Sequence, residues 1–273
     1  MNCNGKLLNL DEPVVMGILN VTPDSFYTKG RHNKPDELLN KATQMIGEGA
    51  TILDIGGQST RPRAEMITAE EEMNRVLPII EAIHNRFPST ILSIDTFRSE
   101  VAKAAIQAGA DIVNDISGGE LDPVMIDTVI ERNVPYICMH MQGTPANMQD
   151  HPHYNDVCLE VYEYFTEKIR LFEQRGLSNV ILDVGFGFGK TIQHNYQLLN
   201  QLYLFQSLGK PILAGLSRKS MVYKPLSSSA EEALNGTTAL NMVALQHGAK
   251  ILRVHDVKEA KEVVNLYKFL HGN

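Results

Sequence analysis

Polar side chains follow many of the short apolar segments of this chain, at the point where each segment ends. They are Asn20, Asp54, Asp95, Asn114, His140, Asp183, the segment 217–220 (SRKS), Arg253 and His255. At the end of a buried strand, a polar group without a partner costs about 1–3 kcal/mol. Because so many such groups occur, we expect them to converge on one ligand that satisfies them.

The chemistry of these groups indicates a flat heterocycle that carries an anionic group. A carboxylate such as Asp183 can accept two parallel N–H bonds from an amidine-like edge, as in a 2-amino-pyrimidinone ring. Asp95 and Asn114 can form similar hydrogen bonds with another edge of the ring. Lys219 brings donors for a carbonyl oxygen or a ring nitrogen. Arg253 offers a plane that stacks on an aromatic ring and donors that suit phosphate.

The run ILDVGFGFGKT resembles a nucleotide-binding loop, but its spacing is wrong for one. A Walker loop needs a glycine five residues before Gly189, where this chain has Val184. The dinucleotide fingerprint fails as well, because Lys190 stands where its third glycine belongs. We interpret the run as a strand that ends at Asp183, followed by a glycine-rich turn. The glycines would let the backbone and Phe188 approach a flat ligand closely.

The elements that position these residues are predicted from the spacing of the apolar side chains. Short apolar runs rich in Ile and Val are typical of strands buried on both faces of a parallel sheet. Such runs occupy residues 14–19, 51–55, 91–94, 111–113, 135–139, 180–182, 211–214 and 250–254. Amphipathic segments of helical period lie between them, at residues 36–48, 69–86, 98–108, 156–175, 230–247 and 256–270. The segments 122–132 and 192–208 fit a helix less cleanly, and Ser229 is a candidate helix cap.

This alternation predicts an α/β protein with the (β/α)8 TIM-barrel fold, as a single domain over residues 1–273. An open doubly wound sheet is the main alternative, but eight alternations in a chain of this length fit the barrel better. In such barrels the chemistry takes place where the strands end and the following loops begin. The polar strand ends would therefore lie at one mouth.

Charge and cysteine content exclude several other classes of protein. The net charge of −7 argues against generic binding to nucleic acid or to an anionic membrane. The three cysteines, Cys3, Cys138 and Cys158, show no paired spacing, which indicates a reducing compartment without disulfides or a zinc site. No apolar window approaches the roughly 18 residues of a membrane span, and the first residues lack a signal-peptide pattern. We expect a soluble cytoplasmic protein.

Eight motifs, in order along almost the whole chain, resemble the dihydropteroate synthase family. They are GILNVTPDSF (17–26), DIGGQSTRP (54–62), SIDT (93–96), VNDISGG (113–119), MHMQGTP (139–145), ILDVGFGFGKT (181–191), GLSRKS (215–220) and ILRVHDV (251–257). The combination of NVTPDSF with STRP is highly specific. The resemblance implies a (β/α)8 barrel that forms a homodimer. It also implies a reaction in folate biosynthesis that joins p-aminobenzoate to 6-hydroxymethyl-7,8-dihydropterin diphosphate, giving 7,8-dihydropteroate and pyrophosphate with Mg2+ assisting.

Carried over to this sequence, the resemblance implies which residues hold the pterin diphosphate. The pterin would be held by residues that lie at strand ends, namely Asp95, Asn114, Asp183 and Lys219. Arg253 would lie against the pterin ring and, with Asn20 and His255, hold the diphosphate. Asn20 would also contact Mg2+. Asp183, Lys219, Arg253 and His255 are therefore the candidate catalytic residues, and Phe188 is a further substrate contact.

The resemblance also implies an aminobenzoate pocket formed by two loops. Thr60 and Arg61 would help hold the diphosphate from the second loop (57–67), while Pro62 and Ser217 would lie near the aminobenzoate. Phe26 would help close the pocket from the first loop (22–33). Because both loops contain many polar and glycine residues, we predict that they are mobile and order over bound pyrophosphate, so that the pterin diphosphate binds first.

The sequence departs from the usual family pattern at several loop positions. Val184 stands where the family usually has proline, Gln58 where it usually has glutamate, and Arg63 where glycine is frequent. The first loop continues as FYTKGRHN instead of the more common Ser-Asp-Gly-Gly. The predicted substrate-binding residues are all in place, so these departures bear on loop details and inhibitor response.

Two other functions are weighed against this one. A pterin-binding methyltransferase domain, which moves a methyl group from methyltetrahydrofolate to a corrinoid protein, shares the barrel and the Asp/Asn/Asp pterin site. It has no use for the STRP motif or for the anion-binding residues of SRKS and RVH. A catalytically silent pterin-binding subunit is disfavoured because Asn20, Arg61, Lys219 and Arg253 are present.

Overall fold

Eight parallel strands close into a barrel in this computed structural model, which describes residues 1–21, 34–59, 65–145 and 147–272. A short antiparallel hairpin, β1 (Asn2–Cys3) and β2 (Lys6–Leu7), precedes the barrel. The barrel strands are β3 (Val14–Asn20), β4 (Ile52–Gly56), β5 (Ile91–Asp95), β6 (Ile112–Asp115), β7 (Tyr136–Met139), β8 (Val180–Asp183), β9 (Ile212–Ala214) and β10 (Ala249–Val254). Strand β10 pairs with both β3 and β9, which completes the ring. The predicted (β/α)8 fold is confirmed.

Helices follow the strands around the outside of the barrel. They are α1 (Lys34–Gly47), α2 (Ala69–Arg86), α3 (Ser99–Ala108), α4 (Met125–Arg132), α5 (Val157–Gln174), α6 (Ile192–Asn200), α7 (Ser220–Tyr223), α8 (Leu234–Gln246) and α9 (Val257–Leu270). The start of a helix is often fixed by a side chain: Thr68 caps α2, Asp156 caps α5, and Thr191 forms a capping box with His194 at α6. Among the described residues, no helix is long and apolar enough to cross a membrane.

The predicted element boundaries agree with the structure to within two residues for every barrel strand. The segment 192–208, which fitted a helix poorly, divides into α6 and a 3-10 helix (Leu202–Leu208). The prediction for 230–247 starts too early. Helix α8 begins at Leu234 with Ala233 as its cap residue, so Ser229 is not a helix cap.

Alternation along each strand fills the lower interior of the barrel with apolar side chains. Every strand contributes a residue to this layer, which consists of Met16, Ile52, Ile91, Ile112, Ile137, Ile181, Leu213 and Ile251, and Val14 of β3 packs in the same cluster. Cys3 and Leu8 of the N-terminal segment pack against the layer and cover the bottom of the barrel. Since side chains of a strand point alternately inward and outward, the residues two positions further on also face the interior. Those positions form the floor of the mouth.

Candidate active site at the mouth of the barrel

The floor of the mouth carries charged and amide side chains directly above the apolar layer. Asp54, Asn114, Asp183 and Arg253 each lie two residues after a member of that layer, on β4, β6, β8 and β10. Asp95, two residues further along β5 than Ser93, is opposite Asn114 in the strand register. The expectation that polar strand ends converge is thus met for these residues.

Arg253 is held at this floor by two carboxylates. Its Nε donates to Asp54 Oδ2 at 2.6 Å, and its Nη2 donates to Asp95 Oδ2 at 2.6 Å. Asn114 Nδ2 donates to the same Asp54 oxygen at 2.9 Å. Burial raises the pKa of Asp95 to about 7 against the opposing effect of the Arg253 guanidinium, and the Asp54 carboxylate adds to the rise. The guanidinium therefore has a fixed plane before any ligand binds.

Asp183 and Arg253 lie on either side of Gly215 at the mouth of the barrel. A Cβ placed on Gly215 would lie 3.7 Å from Asp183 Oδ2 and 3.9 Å from Arg253 Cβ. Asp183 Oδ1 accepts the backbone N–H of Gly185 at 2.8 Å. Burial raises the pKa of Asp183, whereas the charges of Lys219 and Arg253 act in the opposite direction. A buried carboxylate thus stands beside a fixed guanidinium, as a ring with an anionic substituent requires.

Lys219 reaches the mouth from the loop after β9. Its Nζ donates to the Phe186 carbonyl at 2.5 Å and lies 4.7 Å from the centre of the Phe188 ring. Burial lowers the pKa of Lys219 to about 8, although the Asp183 carboxylate partly offsets this. Lys219 and Phe188 are therefore neighbours, which agrees with the prediction that both face one ligand.

An apolar wall flanks these charges. Phe97, Ile116 and Met139 form a separate buried cluster, against which Met141 and Phe188 pack. Met139 is opposite Asp183 in the register of β7 and β8. A flat ring that reaches Asp183 would therefore meet apolar side chains beside the carboxylate.

Ser217 and His255 contact each other at the edge of the mouth. The Ser217 hydroxyl lies 3.1 Å from His255 Nδ1 and accepts the His255 backbone N–H at 3.2 Å. The neighbouring pair is an ion pair, in which Arg218 Nε and Nη2 donate to the two oxygens of Asp256 at 2.8 and 2.7 Å. Arg218 thus joins the loops after β9 and β10, and its guanidinium is paired with Asp256 instead of facing the ligand.

The turn after β8 is rich in glycine mainly because the loop after β7 packs closely against it. A Cβ on Gly185, where φ is +69°, would lie 1.9 Å from the His140 carbonyl oxygen, and one on Gly189 would lie 2.5 Å from the Gln142 oxygen. At Gly187 the nearest atom would be Cδ of Lys219, at 3.3 Å. Gly185 and Gly189 therefore leave room for the loop after β7. Of the three glycines, Gly187 is the one that lies beside Lys219 of the proposed site.

Lys190 fastens the same two loops and explains the position of His140. Its Nζ lies 2.9 Å from His140 Nδ1 and donates to the carbonyls of Phe188 at 2.9 Å and Gly185 at 3.1 Å. Burial and the Lys190 charge lower the pKa of His140 to about 2, so this ring is neutral. His140 is thus not among the floor residues. Alternation along β7, with Ile137 and Met139 inward, could have shown this from the sequence.

Asn20 ends β3, where it pairs in register with Gly56 of β4. Gly56 is in turn opposite Asp95 on β5, so Asn20 is on the rim beside the carboxylates. Among the described residues, no group of three or more His, Cys, Asp or Glu side chains is arranged to hold a metal ion.

Thr60 and Arg61, together with Pro62, Phe26 and the rest of the first loop, lie outside the described residues. The base of the second loop is described, and the departure Gln58 holds it together. The Gln58 side chain donates to the carbonyls of Ser59 and Glu65 at 2.9 and 3.0 Å and accepts the N–H of Ile67 at 3.0 Å. A glutamate could not make both donations.

Sequence reasoning missed the roles of Asp54 and Lys190. Asp54 was predicted only as one of the polar strand ends, whereas its side chain accepts hydrogen bonds from Asn114 and Arg253. Lys190 was considered only as part of a phosphate-loop motif, and it is a buried link between two loops. The inward position of Asp54 after Ile52 was a usable signal; nothing local marked Lys190.

Comparison with known proteins agrees with the site. Residues 16–255 match the family described as pterin binding enzyme. The chain is 46% identical to the dihydropteroate synthase of Escherichia coli K12, over 96% of this chain and 93% of the relative. It is 41% identical to the Bacillus subtilis enzyme of the same name, over 94% and 88%. Among solved structures, Yersinia pestis dihydropteroate synthase with a sulfonamide drug superimposes with a TM-score of 0.94 at 40% identity, over 100% and 99% of the two chains.

A Xanthomonas albilineans dihydropteroate synthase with 7,8-dihydropteroate superimposes with a TM-score of 0.90 at 38% identity, over 99% and 98% of the chains. The barrel and its polar mouth thus define a pterin-binding enzyme. The chain belongs to the dihydropteroate synthase family, and it is a transferase of that family. The sequence-based identification is confirmed, and the methyltransferase alternative is not favoured.

Proposed function

We propose that the mouth of this barrel condenses 6-hydroxymethyl-7,8-dihydropterin diphosphate with p-aminobenzoate, giving 7,8-dihydropteroate and pyrophosphate. The observation that carries the proposal is the placement of Asp183 and Arg253 on either side of Gly215. One supplies a buried acceptor for ring N–H groups, and the other supplies a cation within reach of a substituent on the same ring. A related structure contains 7,8-dihydropteroate and another contains 4-aminobenzoic acid, which supports the same pair of substrates here.

The residues have separate tasks in this proposal. Asp183, Asn114 and Asp95 accept from the donor-rich edges of the pterin, while Lys219 donates to a carbonyl or ring nitrogen. Phe188 and the apolar wall exclude water from the ring. Arg253 and His255, with Asn20 on the rim, hold the diphosphate. Ser217 lies near the aminobenzoate, and Thr60 and Arg61 contribute from the second loop.

The site also suits Mg2+ brought in with the substrate. Mg2+ is commonly held by one or two protein oxygens together with phosphate oxygens of the substrate. The amide oxygen of Asn20 would be such a ligand, and its position at the end of β3 on the rim supports this role. When bound, the ion would offset charge on the leaving pyrophosphate.

The chain's own residues favour departure of pyrophosphate before the amine attacks. The bond between the methylene carbon and the bridging oxygen breaks, and its electron pair leaves with pyrophosphate. Electron release from the dihydropterin stabilises the resulting cation, and the Asp183 carboxylate lowers its energy electrostatically. The neutral amine of p-aminobenzoate then forms the C–N bond and loses a proton. Positioning and charge stabilisation suffice for this chemistry.

Substrate labelled with 18O at the bridging oxygen tests both the reaction and its order. With pterin diphosphate and Mg2+ alone, we expect the label to move into non-bridging positions, because bond cleavage is reversible without the amine. Addition of p-aminobenzoate should yield dihydropteroate and pyrophosphate in equal amounts. Product without scrambling would reject the dissociative order, and absence of product would reject the activity.

We further propose that residues 1–273 form one pterin-binding domain, that the chain forms a homodimer, and that it is cytoplasmic. Support comes from the family for the first two, and from the free, buried state of Cys3, Cys138 and Cys158 for the third. A single cooperative unfolding transition, light scattering at twice the monomer mass, and cell fractionation test the three statements in turn.

A further inference from the structure

Asp54 is a buried carboxylate whose position links two residues of the proposed pterin site. It is 1% exposed, and its Oδ2 accepts from Arg253 Nε at 2.6 Å and from Asn114 Nδ2 at 2.9 Å. Its other oxygen, Oδ1, is buried and has no hydrogen-bond partner among the described residues. Asp54 therefore contacts two of the predicted substrate-binding residues at once, Arg253 and Asn114.

The first consequence concerns the guanidinium of Arg253. Arginine has five N–H donors in a rigid fork. Here one of them is directed to Asp54 and another to Asp95, which lie on neighbouring strands β4 and β5. Two anchors on different strands fix the plane of the fork, and three N–H donors are left to meet an anionic group.

The second consequence concerns the amide of Asn114. An ionised carboxylate accepts hydrogen bonds and cannot donate them. Asn114 must therefore turn its Nδ2 towards Asp54, as it does at 2.9 Å. The carbonyl oxygen then points away from Asp54. Asn114 consequently offers the ligand an acceptor, like its neighbours Asp95 and Asp183.

We propose that Asp54 is a positioning residue that sets both substrate-facing side chains at once: it fixes the plane of Arg253 and the amide orientation of Asn114. This inference rests on the proposed function of the mouth. It explains why a buried carboxylate pairs with both Arg253 and Asn114. It also makes the ring-binding surface consist of acceptors, with Lys219 as the donor, so that the site selects a ring whose facing edges are rich in N–H groups.

The test uses Asp54→Asn, which keeps the size of the side chain and removes its charge. The amide that replaces the carboxylate can donate or accept a hydrogen bond. It therefore no longer determines whether Nδ2 or the carbonyl oxygen of Asn114 faces position 54. Asp111→Asn is the matched control, because it makes the same change in another buried carboxylate, at the bottom of the barrel and away from the mouth. Binding is measured by calorimetry with two separate probes, 6-hydroxymethylpterin for the ring and inorganic pyrophosphate with Mg2+ for the anion.

A hydrogen bond to a charged group typically governs a factor of about 10 to 100 in binding. We expect Asp54→Asn to weaken each probe by about that factor, to raise the KM for pterin diphosphate, and to leave the KM for p-aminobenzoate within about twofold. Asp111→Asn should bind both probes as the wild type does. A double variant with Asn114→Ala should show a smaller effect of Asp54→Asn on the ring probe, because the amide it orients is gone.

Three outcomes would overturn the inference. Unchanged binding of both probes by Asp54→Asn would show that Arg253 and Asn114 are positioned without it. Equal losses for p-aminobenzoate and pterin diphosphate, together with a lower melting temperature, would indicate a purely structural role. Full additivity in the Asn114→Ala background would remove the amide-orienting role. If the wild-type protein binds neither probe, the proposed function fails instead.

Discussion

The bottom and the mouth of this barrel are built by the same two-residue alternation from different side chains. At the bottom, eight aliphatic side chains fill the interior and the N-terminal hairpin covers them. Two residues further along, Asp54, Asn114, Asp183 and Arg253 occupy equivalent inward positions. The bottom exchanges water for hydrocarbon contacts and stabilises the fold. The mouth places charges in a buried setting, where they cost stability and become available to a ligand.

A polar group can serve stability at the bottom when all of its partners are internal. Asp111 Oδ2 accepts from Lys6 Nζ at 2.7 Å and from the Leu92 backbone N–H at 2.9 Å. Asp183, by contrast, accepts one hydrogen bond within the part of the chain that the structure describes, from the Gly185 backbone N–H. The two residues indicate that the number of hydrogen bonds a buried carboxylate accepts from the protein, more than its burial, distinguishes a structural carboxylate from a functional one. The following predictions test this contrast, from the largest expected effect to the smallest.

Asp183→Asn should abolish most activity and leave the fold intact. The variant keeps an oxygen for the Gly185 N–H but loses the charge and one acceptor for the pterin. With about 1.5–3 kcal/mol for each charge-assisted bond, kcat/KM should fall by about 10^3. Because burial raises the pKa of Asp183, the ionised group costs stability, and the free energy of unfolding should be equal or higher in the variant. Urea denaturation and steady-state kinetics measure both. A less stable variant would contradict the contrast.

Asp111→Ala, at the bottom of the barrel, should lower the stability of the protein and leave its activity nearly unchanged. It leaves the Leu92 N–H and the Lys6 ammonium without this acceptor, so the free energy of unfolding should fall by about 1–3 kcal/mol. Asp111→Asn is the matched control, since its oxygen can still accept from Leu92. In both variants kcat/KM should stay within about twofold of the wild type at a temperature where they are folded. A large loss of activity in the folded variant would show that the two ends are coupled.

Activity should fall at high pH because Lys219 loses its proton. The pKa of Lys219 is lowered to about 8, so it is charged below that pH and neutral above it. Since kcat/KM reports ionisation in the free enzyme, its value for pterin diphosphate should fall by up to about tenfold per pH unit above 8. Lys219→Arg, which keeps its charge, should have lower activity at pH 7 but no such decline. A flat profile for the wild type up to pH 9.5 would count against a role for the Lys219 charge.

The smallest effect is expected for Ile137→Val, which removes one methylene from the apolar layer. Ile137 is fully buried, so the free energy of unfolding should fall by about 0.5–1.5 kcal/mol. The kinetic constants should not change, because the residue lies below Met139 and the mouth. If the change in KM, converted into a free energy, exceeds the change in the free energy of unfolding, packing at the bottom sets the geometry of the mouth.

The sequence predicts most of the fold because strands buried on both faces are continuous apolar runs with clear ends. It also locates Asp95, Asn114, Asp183 and Arg253, since each ends such a run or lies two residues beyond the interior layer. The roles of buried partners are harder to predict. Arg253 and Asp54 are 199 residues apart in the chain, and no local pattern records their ion pair. His140 shows the opposite error: it follows a strand directly, but its ring contacts Lys190 of the loop after β8 and does not lie on the floor of the mouth.

Lys190 has a consequence for how the mouth opens. Its Nζ joins the loop after β7, through His140, to the loop after β8, through Gly185 and Phe188. Separating these loops breaks several hydrogen bonds to one buried nitrogen atom together, so partial opening gains little. In hydrogen–deuterium exchange, amides on both loops should therefore exchange as one cooperative unit, at one common rate.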